Sequence, residues 1–201
     1  SSAASDVYKR QGMVTSYAAD TSRWEAWQRE YRFGVILIYP PDPPLSQVNA
    51  LRARYDPRSQ SYCDAHISLT IPLPRVLTKD HWAELELIAS GVAPITIHYG
   101  PLMNYLPYPG VCLAIEPQAE LDELRAALET ASAFTGAPVR RYPFSAHMTI
   151  AEFISQDETK RLMLELEDVA PQGSFLCACV SYAVPDSNMH FTERRRLELS
   201  H

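Results

Sequence analysis

Two four-residue strings in this chain share one pattern: His66-Ile67-Ser68-Leu69 and His147-Met148-Thr149-Ile150. Each runs histidine, apolar, hydroxyl, apolar, inside a stretch that reads as a strand. Side chains at i and i+2 of a strand share a face, so each string sets an imidazole beside a hydroxyl. Imidazole, with an unperturbed pKa of about 6.5, gives or takes a proton near neutral pH. Two of them flanking one phosphodiester would supply a base for the incoming oxygen and an acid for the departing one. Ser68 and Thr149 would donate hydrogen bonds to the non-bridging oxygens, held on strands rather than on a mobile loop. His66 and His147 are therefore the candidate catalytic residues, with Ser68 and Thr149 as candidate phosphate-binding residues. The sequence does not say which histidine is acid and which is base.

Other chemistries lack their residues. No Asp, Glu or third His follows either histidine by two or four places, so no metal site is expected. There is no Gly-rich phosphate loop and only seven glycines occur, so neither ATP nor another cofactor is expected. Arg140, Arg141 and Tyr142 precede the second string. Arg141 could pair with phosphate and Tyr142 could stack on a base. Tyr99, Tyr105 and Tyr108 flank a Pro-rich stretch, and Tyr105 joins Arg141 and Tyr142 as a candidate substrate contact.

The chain of 201 residues allows one large domain or two small lobes. A net charge of −6 disfavours wrapping a long nucleic acid but not holding one small nucleotide. No apolar run approaches the roughly 18 residues that cross a membrane. The four cysteines, Cys63, Cys112, Cys177 and Cys179, form no C-x-x-C pair and read as buried thiols. With no secretory signal pattern, they point to the cytoplasm. Residues 1–12 resemble a translated adapter scar and are expected to be a non-native leader, with residues 13–201 forming one domain.

Trp24, Trp27 and Tyr31 stand at helical spacing within 16–32. An apolar run from Phe33 to Tyr39 predicts a buried strand, stopped by four prolines. Leu45, Val48 and Leu51 make a helical stripe. The first His string lies in a strand over 65–73, followed by a helix capped by Thr78 and a strand over 93–99. A Pro/Tyr-rich loop is expected at 100–109. The order then recurs: a strand from Gly110, a helix around Leu124-Arg125-Ala126 that echoes Leu51-Arg52-Ala53, and the second His string in a strand over 146–154. Ser155 and Glu158 form a capping box for the next helix. Strands over 175–184 and 189–199 would close the chain as a hairpin. Two weakly similar halves, about 33–100 and 110–199, with matching histidines suggest duplication into two pseudo-symmetric lobes.

On these two His-x-hydroxyl strings the chain resembles the 2H phosphoesterase superfamily. Phe144-Ser145-Ala146 before the second string and Ala151-Glu152-Phe153 after it are similar to its 2′-5′ RNA ligase-like branch. Some members carry a basic residue shortly after the second motif; here Glu152 and Phe153 stand nearby. The resemblance implies an α+β bilobal fold with two antiparallel sheets facing a central cleft. It implies metal-independent hydrolysis, or ligation with a 5′-hydroxyl in place of water, at a 2′,3′-cyclic phosphate or a 2′-5′ linkage. The expected partner is a small nucleotide or RNA end bound by a monomer, away from any membrane. The alternative is a non-catalytic module that binds a nucleotide or RNA end in the same cleft.

Overall fold

A computed structural model describes residues 16–201; the expected leader lies outside them. The chain adopts the expected α+β class. In order it forms α1 (Ala26–Arg29), β1 (Val35–Ile38), α2 (Pro44–Tyr55), α3 (Pro57–Tyr62), β2 (Ile67–Ser68), α4 (Lys79–Ser90) and β3 (Ile95–Tyr105). It continues with β4 (Tyr108–Glu116), α5 (Gln118–Glu129), β5 (His147–Ala151), α6 (Gln156–Leu166), β6 (Gly173–Cys177), β7 (Cys179–Pro185) and β8 (Phe191–Glu198).

All eight strands hydrogen-bond into one antiparallel sheet, ordered β6-β3-β4-β5-β2-β1-β7-β8. Two separate sheets were expected. What joins the two groups of four is narrow: β2 has two residues and meets β5 through the single pair Ile67↔Met148. The sheet cannot be flat. β6 and β7 stand six places apart in it, roughly 29 Å at ~4.8 Å per strand. Yet only Ala178 separates them in the chain, and two peptide units reach at most about 7.6 Å. The sheet must curl until its two halves approach at that end, which makes a cleft.

The halves of the sheet are not the halves of the sequence. β3, from the first repeat, pairs with β4 and β6, whereas β7 and β8 join β1. The reason lies in the stretch expected to be a loop. Residues 100–109 are mostly strand, because β3 and β4 form a long hairpin turning at Leu106-Pro107. Pro101, which cannot donate to a ladder, sits at a register shift between Tyr99 and Leu102. The hairpin hands β3 across to the second half.

Apolar faces follow the sequence pattern. Ile36, Ile38, Ile67, Leu113, Met148 and Ile150 are each at most 1 % exposed and share one core with Val48 of α2 and Leu121, Leu124 and Leu128 of α5. Leu45 and Leu51 pack against that core. Thr78 caps α4 by accepting from the His81 amide, and Ser155 with Glu158 forms the expected box on α6. The aromatic stretch at 16–32 yields only the short α1; Trp24 is buried while Trp27 stays partly exposed. Gly34 and Gly110 both have positive φ, 86° and 140°, and a Cβ on Gly34 would meet the Ala183 carbonyl at 2.6 Å. Cys63, Cys112, Cys177 and Cys179 are all free thiols, the first three buried. No helix of the described residues is long and apolar enough to cross a membrane.

Candidate active site

The Ile67↔Met148 pair is the centre of the site. Both side chains are fully buried, on the helix-covered face. Alternation sends the residues either side of them to the opposite face. One step along the antiparallel ladder sets His66 across from Thr149 and Ser68 across from His147. The two imidazoles and two hydroxyls therefore occupy the corners of one square, each histidine beside its own hydroxyl along the strand and beside the other's across it. The histidines stand on a diagonal, where backbone positions are about 7–8 Å apart. Next outward, Ala114 pairs with His147 and Cys112 with Thr149, small neighbours that leave room for a ring.

Both rings are oriented by the same device. His66 Nδ1 bonds the Asp64 carbonyl at 2.7 Å, and His147 Nδ1 bonds the Ser145 carbonyl at 2.8 Å, each two residues back. A carbonyl only accepts, so Nδ1 carries the proton and Nε2 is left for chemistry. The residues just before the histidines are held alike. The Ala65 amide donates to Asn49 Oδ1 of α2 at 2.7 Å, and the Ala146 amide donates to Gln118 Oε1 of α5 at 2.9 Å.

The loops beyond the strings are held crosswise. Asp56, at the end of α2, accepts the amides of Glu152 and Phe153 at 2.8 and 3.0 Å, beyond the second string. Glu129, at the end of α5, accepts the Ile71 amide at 2.9 Å, beyond the first. Each acid stands four residues after the arginine of the Leu-Arg-Ala echo. Arg52 is 1 % exposed and spends its guanidinium inward, on the Thr149, Ser59 and Cys63 carbonyls, Ser59 Oγ and Gln60 Oε1. Arg125 instead forms ion pairs with Asp122 and Glu129. Asn49, Arg52, Asp56, Gln118 and Glu129 went unread in the sequence; the Leu-Arg-Ala echo was their one visible trace.

The two halves of the square differ electrostatically. Burial holds the His66 imidazole below the usual histidine range, and Arg52 adds to the effect. The bond to the Asp64 carbonyl and the Glu152 charge oppose this without reversing it. His66 and Ser68 also line a cavity of about 390 Å³ that His147 and Thr149 do not line. Its walls are aromatic, with Trp27, Tyr31, Tyr62, Phe153 and Phe191, and Arg52 and Glu152 are its charged members. Trp27, Tyr62 and Phe153 are mutually in ring contact, 6.0–6.4 Å between centroids.

Of the candidate substrate contacts, only Tyr105 is brought against the square. Its ring lies 5.6 Å from that of His147, and its hydroxyl is 3.3 Å from Ser145 Oγ. Arg141 is exposed and paired with Glu30 at 2.8 Å, and Tyr142 is 73 % exposed. Neither lines the cavity. Arg140 is engaged by Glu129 and the Leu69 carbonyl. Tyr99 is buried against Phe175, and Tyr108 is exposed. Among the described residues no three His, Cys, Asp or Glu side chains gather where they could hold a metal ion.

Comparison with known proteins gives the fold and the family. A protein of Bacillus thuringiensis (strain Al Hakam) named "Putative phosphoesterase" is 32% identical over 129 residues, covering 61% of this chain and 71% of the relative. A similarly named protein of Oceanobacillus iheyensis is 27% identical over 135 residues, 66% of this chain and 77% of its own. Among solved structures, E. coli LigT complexed with 3′-AMP superposes with a TM-score of 0.57 at 18% identity, covering 83% of this chain and 97% of that one. The apo form of E. coli LigT gives 0.55, with 83% and 96% covered, also at 18% identity. These structures share the fold. The family model described as the 2′-5′ RNA ligase superfamily matches residues 40–187, well over half of the sequence, and the chain belongs to that superfamily.

Proposed function

We propose that this phosphoesterase-family chain hydrolyses, or in reverse ligates, a 2′,3′-cyclic phosphate or 2′-5′ phosphodiester in a small nucleotide or RNA end. The observation that carries the reading is the matched orientation of the two histidines, each with Nδ1 tied to the carbonyl two residues back and Nε2 left over, on adjacent strands of one sheet face. A phosphate resting on the square would meet both Nε2 atoms and both hydroxyls.

The asymmetry between the rings supports a division of labour. His66, held neutral by its burial, takes the proton from water as its oxygen attacks phosphorus. His147, with Nδ1 tied to the Ser145 carbonyl, gives a proton from Nε2 to the departing ribose oxygen. Ser68 and Thr149 hold the non-bridging oxygens as charge shifts in the transition state. In ligation a 5′-hydroxyl takes the place of water: it loses its proton to His66 as its oxygen attacks phosphorus, and His147 protonates the same departing ribose oxygen. No resident cofactor enters any step. Tyr105 packs on His147 and steadies its ring; Arg141 and Tyr142 would meet only the outer part of a longer RNA end. The protein acts as a monomer in this reading, in a reducing compartment where its free cysteines stay thiols.

The test is turnover of 2′,3′-cyclic mononucleotides followed by chromatography of the monophosphate product. His66→Ala and His147→Ala are each expected to lose about 10²–10⁴-fold in kcat/KM. Nucleotide binding without turnover in the wild type would identify a binding module instead; full activity in either variant would end the two-histidine mechanism.

A further inference from the structure

The cavity beside His66 is more than space for a phosphate, and its polar inventory is lopsided. Arg52 has its donors committed to protein acceptors. Tyr62 accepts from Arg58 Nε at 3.2 Å. Ser59 Oγ donates to Glu152 Oε1 at 3.1 Å. Glu152 Oε2 has no partner among the described residues, and each carboxylate oxygen has two acceptor sites. The cavity thus offers an incoming ligand flat apolar walls and one charged acceptor. Arg58 stacks over Phe153 at 4.1 Å and pairs with Glu25, so the wall is braced from behind.

A second phosphate does not suit such a place, because the carboxylate would repel it and the nearby guanidinium is already engaged. A nucleobase does. Aromatic faces take any base by stacking, so the choice falls to the hydrogen-bonding edge. Guanine alone among the four bases presents two adjacent donors, N1–H and the N2 amino group. A carboxylate accepts such a pair in parallel, as it does a guanidinium fork. Adenine and cytosine offer one donor beside an acceptor that would face the carboxylate, and uracil one donor between two carbonyls.

From this geometry we infer that the cavity is a guanine-selective base site, with Glu152 as the specificity residue, and that the preferred substrate carries guanosine at its 2′,3′-cyclic phosphate. The inference rests on the phosphoesterase reading for the position of the phosphate, since His66 and Ser68 line both the cavity and the square. Glu152 stands just past the second His string, on the wall of the cavity that His66 and Ser68 also line.

The experiment compares kcat/KM for the 2′,3′-cyclic phosphates of guanosine, adenosine, cytidine and uridine, and titrates 3′-GMP and 3′-AMP calorimetrically. The guanosine compounds are expected to lead by about tenfold or more in both measurements, the effect of a charge-assisted pair of hydrogen bonds. Glu152→Gln, whose amide oxygen can still accept from Ser59 Oγ, is expected to bring the ratio to within about threefold. An unchanged urea midpoint establishes that it remains folded. Equal rates and affinities for all four bases, or a preference that survives Glu152→Gln, would overturn the inference. Equal turnover that disappears in His66→Ala leaves the phosphoesterase reading standing while this one falls. Guanine-selective binding without turnover of any compound does the reverse.

Discussion

Asp56 and Glu129 hold each other's half of the molecule. Asp56, at the end of α2, bonds the amides just past the second His string, and Glu129, at the end of α5, bonds the amide just past the first. The two strings meet through one residue pair, so these crossed carboxylates keep the square from opening at its narrow seam.

Truncating them should cost unequal amounts. Asp56 is 3 % exposed and accepts three backbone amides, the third from Ser59 at 3.0 Å. Asp56→Ala leaves all three unpaired and should destabilise by about 2–4 kcal/mol. Glu129→Ala should cost less, about 1–2 kcal/mol, because its carboxylate is nearer solvent and its arginine partners can turn outward. Urea unfolding followed by circular dichroism reads both; equal losses would contradict the account.

Arg52→Lys is expected to be far from conservative. A planar fork serving five acceptors in a buried site has no equivalent in a single ammonium. A loss of about 2 kcal/mol or more should appear as a lower urea midpoint with an unchanged slope. Wild-type stability in that variant would mean that these bonds contribute little.

The hydroxyls should act on rate rather than on affinity. Ser68→Ala and Thr149→Val are expected to lower kcat by about 10–10²-fold while leaving KM within a few-fold, if their bonds tighten as charge shifts in the transition state. A change confined to KM would reassign them to ground-state binding. Thr149→Ser, which restores the donor, should recover most of the rate.

The depressed pKa of His66 has two consequences with the same sign. Its folded pKa lies below the unfolded value of about 6.5. As pH falls, the unfolded chain takes up the proton first. The contribution of His66 to stability is thus intact above about pH 6.5 and is lost as pH descends to the folded value. Thermal melting between pH 5 and 8 should show a loss toward acid that is smaller in His66→Asn. As the base, His66 must be neutral, so the acid limb of kcat/KM should fall below about pH 6.5. A limb above that point would assign the base elsewhere.

Sequence alone determined the pieces that depend on local rules. Period-two alternation put His66 with Ser68 and His147 with Thr149, and helix starts at Thr78 and Ser155 followed from side chains that bond nearby amides. The apolar stripes of α2 and α5 and the repeated order of elements were legible for the same reason. Tertiary structure decided what depends on pairs remote in the chain. Nothing local shows that Ile67 faces Met148, and that register is what brings the two strings into one square. Nor could the sequence reveal that one sheet, curled by the single-residue link at Ala178, replaces two, or that the stretch at 100–109 forms a hairpin carrying β3 into the second half. Arg52 and Asp56 read as ordinary charged residues of a helix end, since their burial is created only by β5 packing against α2. Trp27 and Phe153 become walls of one cavity for the same physical reason: contact energies between distant segments, not local propensity, choose which faces meet.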